Sequence, residues 1–204
     1  MSNKNSDGLL VVLSGPTGSG KSTVIAAMLA TYGGLLPPVH FSVSATTRTP
    51  RPGEVDGIDY HFLSHENFDR LRESGGLLEH AEFTGNAYGT LAAPIVQHLS
   101  NGHVVLLDIE IRGARQIRET HPDALFVQLM PPTISELEDR LRARGTETEE
   151  SLQKRLQSVT EQLSALDIYD HIVYNEHGKV EKAAFELAAT IAAKLTDAKR
   201  RLPL

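Results

Sequence analysis

A glycine-rich segment near the N-terminus constrains the fold of this chain more than any other feature. Residues 15–22 read Gly-Pro-Thr-Gly-Ser-Gly-Lys-Ser, which fits the pattern of a phosphate-binding loop. The glycines let successive backbone N–H groups turn inward toward phosphate oxygens. An apolar run of strand length, 9–13, precedes the loop, and the run 23–30 that follows it reads as a helix. Strand, loop and helix in this order predict a nucleotide phosphate site rather than a bare glycine turn.

Composition and length limit the classes of protein to which the chain can belong. Its 204 residues, 40% of them hydrophobic, are enough for one α/β domain with insertions. The absence of cysteine excludes disulfides and thiolate metal sites. No apolar run approaches membrane-spanning length, and residues 1–7 lack the apolar region of a signal peptide, which predicts a cytoplasmic protein with no membrane partner. A net charge of −6 argues against a general nucleic-acid binder.

A second apolar run, 103–110, is typical of a buried parallel strand and ends in the carboxylates of Asp108 and Glu110. Ligands of parallel sheets bind beyond the carboxyl ends of the strands, which favours a position near the phosphate loop for both carboxylates. An exposed acidic loop after the strand is the alternative that the pattern leaves open.

The segment 45–54 is predicted to be a loop by its prolines and glycine, and it carries Arg48 and Arg51. Loop arginines are usually solvated surface charges, but two guanidinium groups are also well suited to binding one phosphate. The loop alone favours neither reading.

Two further segments read as additions to the α/β core. Short strands at 58–62 and 77–83 flank a helix that Ser64 caps, which suggests an inserted lobe. Capping boxes at 133–136 and 146–149 open two arginine-rich helices, which suggest a mobile lid.

The chain resembles the guanylate kinase family over nearly its whole length. The resemblance rests on the segments 41–54, 56–60, 78–81, 88–90 and 108–110, and on Arg-Leu-x-x-Arg-Gly at 140–145. It implies an α/β fold in which a P-loop NTP-binding core with a five-stranded parallel sheet carries an inserted GMP-binding lobe and a helical lid. The implied bounds are 1–43, 91–133 and 167–204 for the core, 44–90 for the lobe and 134–166 for the lid. The implied reaction transfers the γ-phosphoryl of ATP to GMP or dGMP.

The resemblance also implies roles in the acceptor site. Ser44 and Thr90 are similar to the hydroxyl donors to guanine O6. Glu79 and Glu110 are similar to the acceptors for guanine N1–H and the 2-amino group. The residues that resemble the clamp on the GMP phosphate are Arg48, Arg51, Tyr60 and Tyr88.

On the donor side, the resemblance implies ATP and Mg²⁺ as the ligands. The implied ATP-binding residues are Gly15, Pro16, Thr17, Gly18, Ser19, Gly20, Lys21, Ser22 and Thr23. Ser22 is expected to bind Mg²⁺, and Asp108 to organise the ion through water or to hold a clamp arginine beside GMP. The implied catalytic cations are Lys21, Arg48, Arg140, Arg144 and Arg155. Nucleotides are the expected partners, and a homo-oligomer is left open.

Three positions depart from the commonest family pattern: Ala87 stands where a tyrosine is frequent, Glu110 where aspartate is frequent, and Arg112 where glutamine is usual.

Two related functions compete with the prediction of a guanylate kinase. One is a peptide-binding domain of the same fold, in which the phosphate loop is typically incomplete. The other is a kinase for a different acceptor, such as a ribose bisphosphate, which would leave Ser44, Glu79 and Thr90 without a purine edge to read. A GTPase is disfavoured because the chain lacks an Asn-Lys-x-Asp motif.

Overall fold

A computed structural model describes residues 8–83, 85–143 and 166–200 of the chain. Nine strands and six α-helices lie in the described residues. The strands are β1 (Leu9–Ser14), β2 (Val39–Phe41), β3 (Ala45–Thr46), β4 (His61–Phe62), β5 (Leu77–Phe83), β6 (Asn86–Leu91), β7 (Val104–Asp108), β8 (Leu125–Met130) and β9 (His171–Tyr174). The helices are α1 (Lys21–Tyr32), α2 (His65–Glu73), α3 (Ala92–Ser100), α4 (Ile111–Thr120), α5 (Ile134–Ala143) and α6 (Val180–Arg200). None of these helices is both long and apolar enough to cross a membrane.

The main sheet has five parallel strands in the order β2-β7-β1-β8-β9, which confirms the predicted five-stranded parallel sheet. β1 lies at its centre, and all six of its residues are buried. Because side chains alternate along a strand, Val11 and Leu13 pack toward α1 and α6, whereas Val12 packs toward α3 and α4. Burial on both faces explains why β1 is continuously apolar.

The second sheet has the strand order β4-β3-β6-β5. β3 pairs antiparallel with β6, which pairs antiparallel with β5, while the short β4 runs parallel to β3. Helix α2 follows β4 and buries Phe68; Ser64 caps it, since its hydroxyl accepts a hydrogen bond from the backbone N–H of Asn67. This sheet and α2 form the unit that the short strands of the sequence suggested.

Three element boundaries differ from the prediction. Residues 39–44 alternate in the sequence as one strand would, but only Val39–Phe41 form β2; the Ser42 backbone N–H still donates to the Leu106 carbonyl, and β3 then begins at Ala45 in the second sheet. Of the run 58–62, only 61–62 is a strand, because a turn closed by Gly57 N–H and the Tyr60 carbonyl occupies its start. The run 103–110 ends at Asp108, because Glu110 already forms the N-cap of α4.

Candidate active site

The phosphate loop connects β1 to α1 and is held in place by Asn175, which follows β9. The Asn175 side-chain amide donates to the Ser19 carbonyl at 2.8 Å. Gly20 has a left-handed φ of 90°, and a Cβ there would lie 2.4 Å from the Asn175 amide nitrogen. Glycine is therefore required at position 20 by both its backbone conformation and its neighbour. As the N-cap of α1, Gly20 has no side chain to cap the helix, so the first turn can offer its N–H groups to an anion.

Lys21 is the first residue of α1, where the loop ends. Its ammonium donates to the Gly15 carbonyl at 2.6 Å and lies 3.7 Å from a carboxylate oxygen of Asp108, at the end of β7. Burial raises the pKa of Asp108, and the charge of Lys21 opposes that increase. A pocket of about 180 Å³ opens here, lined by Pro16, Thr17, Gly18, Gly20, Lys21, Ser22 and Asp108.

The chemistry of this pocket suits a magnesium nucleotide. The Ser22 hydroxyl and the Asp108 carboxylate are oxygen ligands, the type that Mg²⁺ prefers. Lys21, from the same wall, provides a positive charge for phosphate. The residues of the pocket therefore fit the ion that the sequence implied.

Arg140, in α5, also contacts the loop. One guanidinium nitrogen donates to the Ser19 carbonyl at 3.4 Å, and the other donates to the Asn175 carbonyl at 2.6 Å and pairs with Glu136. Arg140 therefore reaches the phosphate loop from α5, a helix that is distant from the loop in the sequence. The other two expected cations of this region, Arg144 and Arg155, lie outside the described residues, as does the segment 144–165 of the expected lid.

The lobe brings the expected phosphate clamp together around Arg48. Both terminal nitrogens of Arg48 donate to the carboxylate of Glu54 at 2.9 Å, and its guanidinium carbon lies 5.3 Å from the centre of the Tyr60 ring. Tyr60 meets Tyr88 edge to face at 6.1 Å. The Arg51 side chain is exposed, while its backbone N–H donates to Glu54 at 2.7 Å. These residues form a cationic and aromatic surface.

Burial raises the pKa of Tyr60; the neighbouring Tyr88 adds to the increase, and the charge of Arg48 opposes it.

Glu79 is the buried carboxylate of the lobe. Its side chain is 5% exposed, and one of its oxygens accepts a hydrogen bond from the Thr90 hydroxyl at 2.7 Å. The register of the sheet explains the pairing, because Glu79 in β5 lies opposite Thr90 in β6. Burial raises the pKa of Glu79, an effect that the Thr90 hydrogen bonds oppose. Ser44, which directly precedes β3, is partly buried.

The remaining expected acceptor, Glu110, is in a different environment. It is exposed at the N-cap of α4 and makes no capping hydrogen bond with its side chain. Arg112, in the first turn of the same helix, is also exposed. Ala87 pairs with Glu82 on the lobe sheet, and its carbonyl accepts from Thr47.

The structure adds four residues to which the sequence assigned no role. Glu54 holds Arg48, Asn175 holds the phosphate loop, and Gly113 and Gln116 of α4 contact β5 beside Glu79. Glu54 lies inside the Arg-x-x-Arg-x-x-Glu segment, so its spacing to the two arginines was a signal. Asn175 is 156 residues from Ser19, and no local pattern connects them.

Comparisons with known proteins agree with one another. The family model described as Guanylate kinase matches residues 8–194. The chain is 48% identical over 176 residues to a guanylate kinase of Synechococcus sp. (strain CC9311), covering 86% of this chain and 90% of that protein. It is 44% identical over 194 residues to a guanylate kinase of Desulfitobacterium hafniense (strain Y51), covering 95% and 94%. The crystal structure of guanylate kinase from Anaplasma phagocytophilum matches with a TM-score of 0.70 at 28% identity, covering 94% of this chain and 88% of that one.

Proposed function

The chain belongs to the guanylate kinase family, whose reaction transfers the γ-phosphoryl group of ATP to GMP, and we propose that its residues divide this work between a donor site, an acceptor site and a lid. The enzyme is an ATP-dependent nucleoside monophosphate kinase. The observation that carries the proposed division is the buried Glu79–Thr90 pair, which lies in the same lobe as the group formed by Arg48, Tyr60 and Tyr88.

The donor site is the phosphate loop. Residues 15–23 bind the ATP phosphates, through backbone N–H groups at the positions other than Pro16, and Lys21 leaves the Gly15 carbonyl to follow the migrating phosphoryl group. Ser22 would hold Mg²⁺, with Asp108 organising the ion through water, and the ion would neutralise negative charge on the ATP phosphates.

The acceptor site is the lobe. Arg48, Arg51, Tyr60 and Tyr88 bind the GMP phosphate. Glu79 accepts from guanine N1–H and the 2-amino group, and Ser44 and Thr90 donate to O6, for which the Thr90 hydroxyl turns away from the Glu79 carboxylate. Glu110, exposed at the start of α4, completes the acceptor set.

The chemical step needs no general base. The second pKa of a phosphate monoester is about 6, so the acceptor phosphate is largely a dianion at neutral pH. One of its oxygens bonds to the γ-phosphorus while the bond from that phosphorus to the β–γ bridging oxygen breaks, and ADP leaves with that electron pair. Alignment and positive charge then supply the rate enhancement. We assign this charge to Lys21, Arg48 and Arg140, and to the lid residues Arg144 and Arg155.

The same reasoning supports the division of the chain. We propose residues 44–90 as the GMP-binding lobe, 134–166 as the lid, and the remainder as the core. A lid is required because an open site would transfer the phosphoryl group to water. ATP and GMP are the proposed partners, and the cytoplasm is the proposed location.

The test is an ADP-release assay with ATP, Mg²⁺ and a panel of nucleoside monophosphates. A site that pairs a buried carboxylate with two adjacent donors rejects a base that lacks them by roughly 10⁴–10⁵. We expect GMP and dGMP to be phosphorylated, and AMP, CMP and UMP to react slower by several orders of magnitude. Turnover of AMP within tenfold of GMP would overturn the proposed base recognition.

A further inference from the structure

β5 is an edge strand of the lobe sheet, so the backbone groups on its outer side have no strand partner. At His80 these groups are bound by a side chain of the core. The Gln116 amide oxygen accepts from the His80 N–H at 3.1 Å, and the Gln116 amide nitrogen donates to the His80 carbonyl at 2.7 Å. A primary amide carries a donor and an acceptor together, so Gln116 takes the place of a missing neighbouring strand.

The contact lies directly beside the residue proposed to read the base. The N–H of His80 belongs to the peptide group that begins at the Glu79 carbonyl, so Gln116 holds the peptide plane from which Glu79 projects. Gly113, one turn earlier on the same face of α4, lies against the Glu79 carboxylate. α4 therefore contacts β5 both at the backbone of His80 and at the side chain of Glu79.

Neither contact is explained by the burial of apolar surface. The Gln116–His80 hydrogen bonds lie at an exposed position, where water could satisfy the same groups. Their net contribution to the stability of the fold is therefore small, whereas their geometry connects the lobe to the core at a defined register.

We propose that Gln116 is a positioning residue for base recognition: by binding both backbone groups of His80, it holds β5 so that the Glu79 carboxylate stays between Thr90 and Gly113. This inference rests on the proposed role of Glu79 as the guanine acceptor. A shift of about 1 Å in a positioned group can cost on the order of 10²-fold in rate, so an exposed clamp of modest stability can have a large effect on recognition.

The test compares Gln116→Met with Gln97→Met. Methionine keeps the length of glutamine and loses both hydrogen bonds, and Gln97 is an exposed glutamine on α3, away from the lobe sheet. The measurements are kcat and KM for GMP, KM for ATP, the GMP-to-IMP ratio of kcat/KM, and thermal unfolding. IMP lacks the 2-amino group, so the ratio reports how well the carboxylate meets that donor.

For Gln116→Met we expect the KM for GMP to rise about tenfold, the GMP-to-IMP ratio to fall several-fold, and the KM for ATP to stay within twofold of wild type. Amide hydrogen exchange at His80 should accelerate, which checks the contact independently of activity. Gln97→Met should match wild type throughout.

Two results would overturn the positioning role while leaving the proposed function intact: an unchanged KM for GMP and an unchanged ratio in Gln116→Met, or an equal loss of GMP and ATP affinity with a lowered melting temperature. A wild-type protein and a Gln97→Met control that both fail to phosphorylate GMP would instead overturn the proposed function, and the positioning role with it.

Discussion

The carboxylate of Glu79 lies directly against the Cα of Gly113: its second oxygen is 2.3 Å from the position that a Cβ at residue 113 would take. The first oxygen accepts from Thr90 at 2.7 Å, so the carboxylate is held between a strand of the lobe and a helix of the core. Glycine is required here for space, since Gly113 does not have a positive φ.

Gly113→Ala should therefore impair GMP binding without unfolding the protein. In a helix, alanine is more favourable than glycine by about 1 kcal/mol, which should stabilise the fold of the variant. The added methyl group, however, must displace the Glu79 carboxylate. We expect GMP affinity to fall at least tenfold, measured by calorimetry. Gly34→Ala, where a Cβ would meet nothing within 4 Å, is the matched control. Normal GMP affinity in Gly113→Ala would show that the position of the carboxylate is not critical.

Glu79→Gln separates recognition from stability. It replaces a charge-assisted acceptor with an amide, so kcat/KM for GMP should fall by a factor that corresponds to about 2–3 kcal/mol of lost transition-state stabilisation. Burial raises the pKa of Glu79, which means that the ionised form is disfavoured in the folded protein, so the neutral variant should melt at or above the wild-type temperature. Glu82→Gln, at an exposed site on the same strand, is the control. Unaltered GMP turnover in Glu79→Gln would remove Glu79 from base recognition.

Lys21→Met tests the donor site. Removal of one electrostatic contact to a transition state typically costs on the order of 10²–10³ in rate, and we expect kcat to fall by at least that factor while unfolding stays cooperative. Single-turnover GDP formation and thermal melting are the measurements. Lys194→Met, on α6, is the control. A folded Lys21→Met protein with near-normal turnover would contradict the mechanism.

Three neighbouring histidines outside the candidate active site lead us to expect that the stability of the fold depends on pH. The rings of His40 and His98 stack at 3.7 Å, and the Nδ1 atoms of His98 and His103 lie 2.9 Å apart. Burial, followed by the charges of His98 and His103, lowers the pKa of His40. The unfolded chain therefore takes up a proton at His40 more readily than the folded protein, so this stabilisation is complete above the unfolded pKa of about 6.5 and is lost as the pH falls below it.

The variant that checks this effect is His40→Phe, which keeps a ring against His98 and cannot be protonated. The fall in melting temperature between pH 7.5 and pH 5.5 should be smaller than in wild type. His65→Phe replaces an exposed histidine at the start of α2 and should lose as much on acidification as wild type does. An undiminished loss in His40→Phe would mean that His40 does not contribute to the pH dependence.

Local pattern was sufficient for the elements on which the main sheet is built. The buried strands β1 and β7 are apolar up to their last residue, β8 is apolar apart from Gln128, and the loop 15–22 imposes its own backbone geometry through glycine. The prediction of strands from the sequence failed where the chain passes from one sheet to the other. Residues 39–44 alternate as one strand would, yet only 39–41 join the main sheet and the next strand begins at Ala45 in the second sheet, because the choice of pairing partner depends on strands that are distant in the sequence.

The residues of the candidate active site show the same contrast between what local sequence predicts and what tertiary structure decides. Sequence alone determined that the chain carries a phosphate loop, a paired-arginine loop and acidic residues near strand ends, because each of these is encoded within a few neighbouring positions. Tertiary structure decided that Gly20 must accommodate Asn175, that Glu54 holds Arg48, and that Gln116 binds the backbone of His80. Hydrogen bonds such as that from Gln116 to His80, 36 residues away, form only after the sheets and helices have packed, and no periodicity along the chain records them.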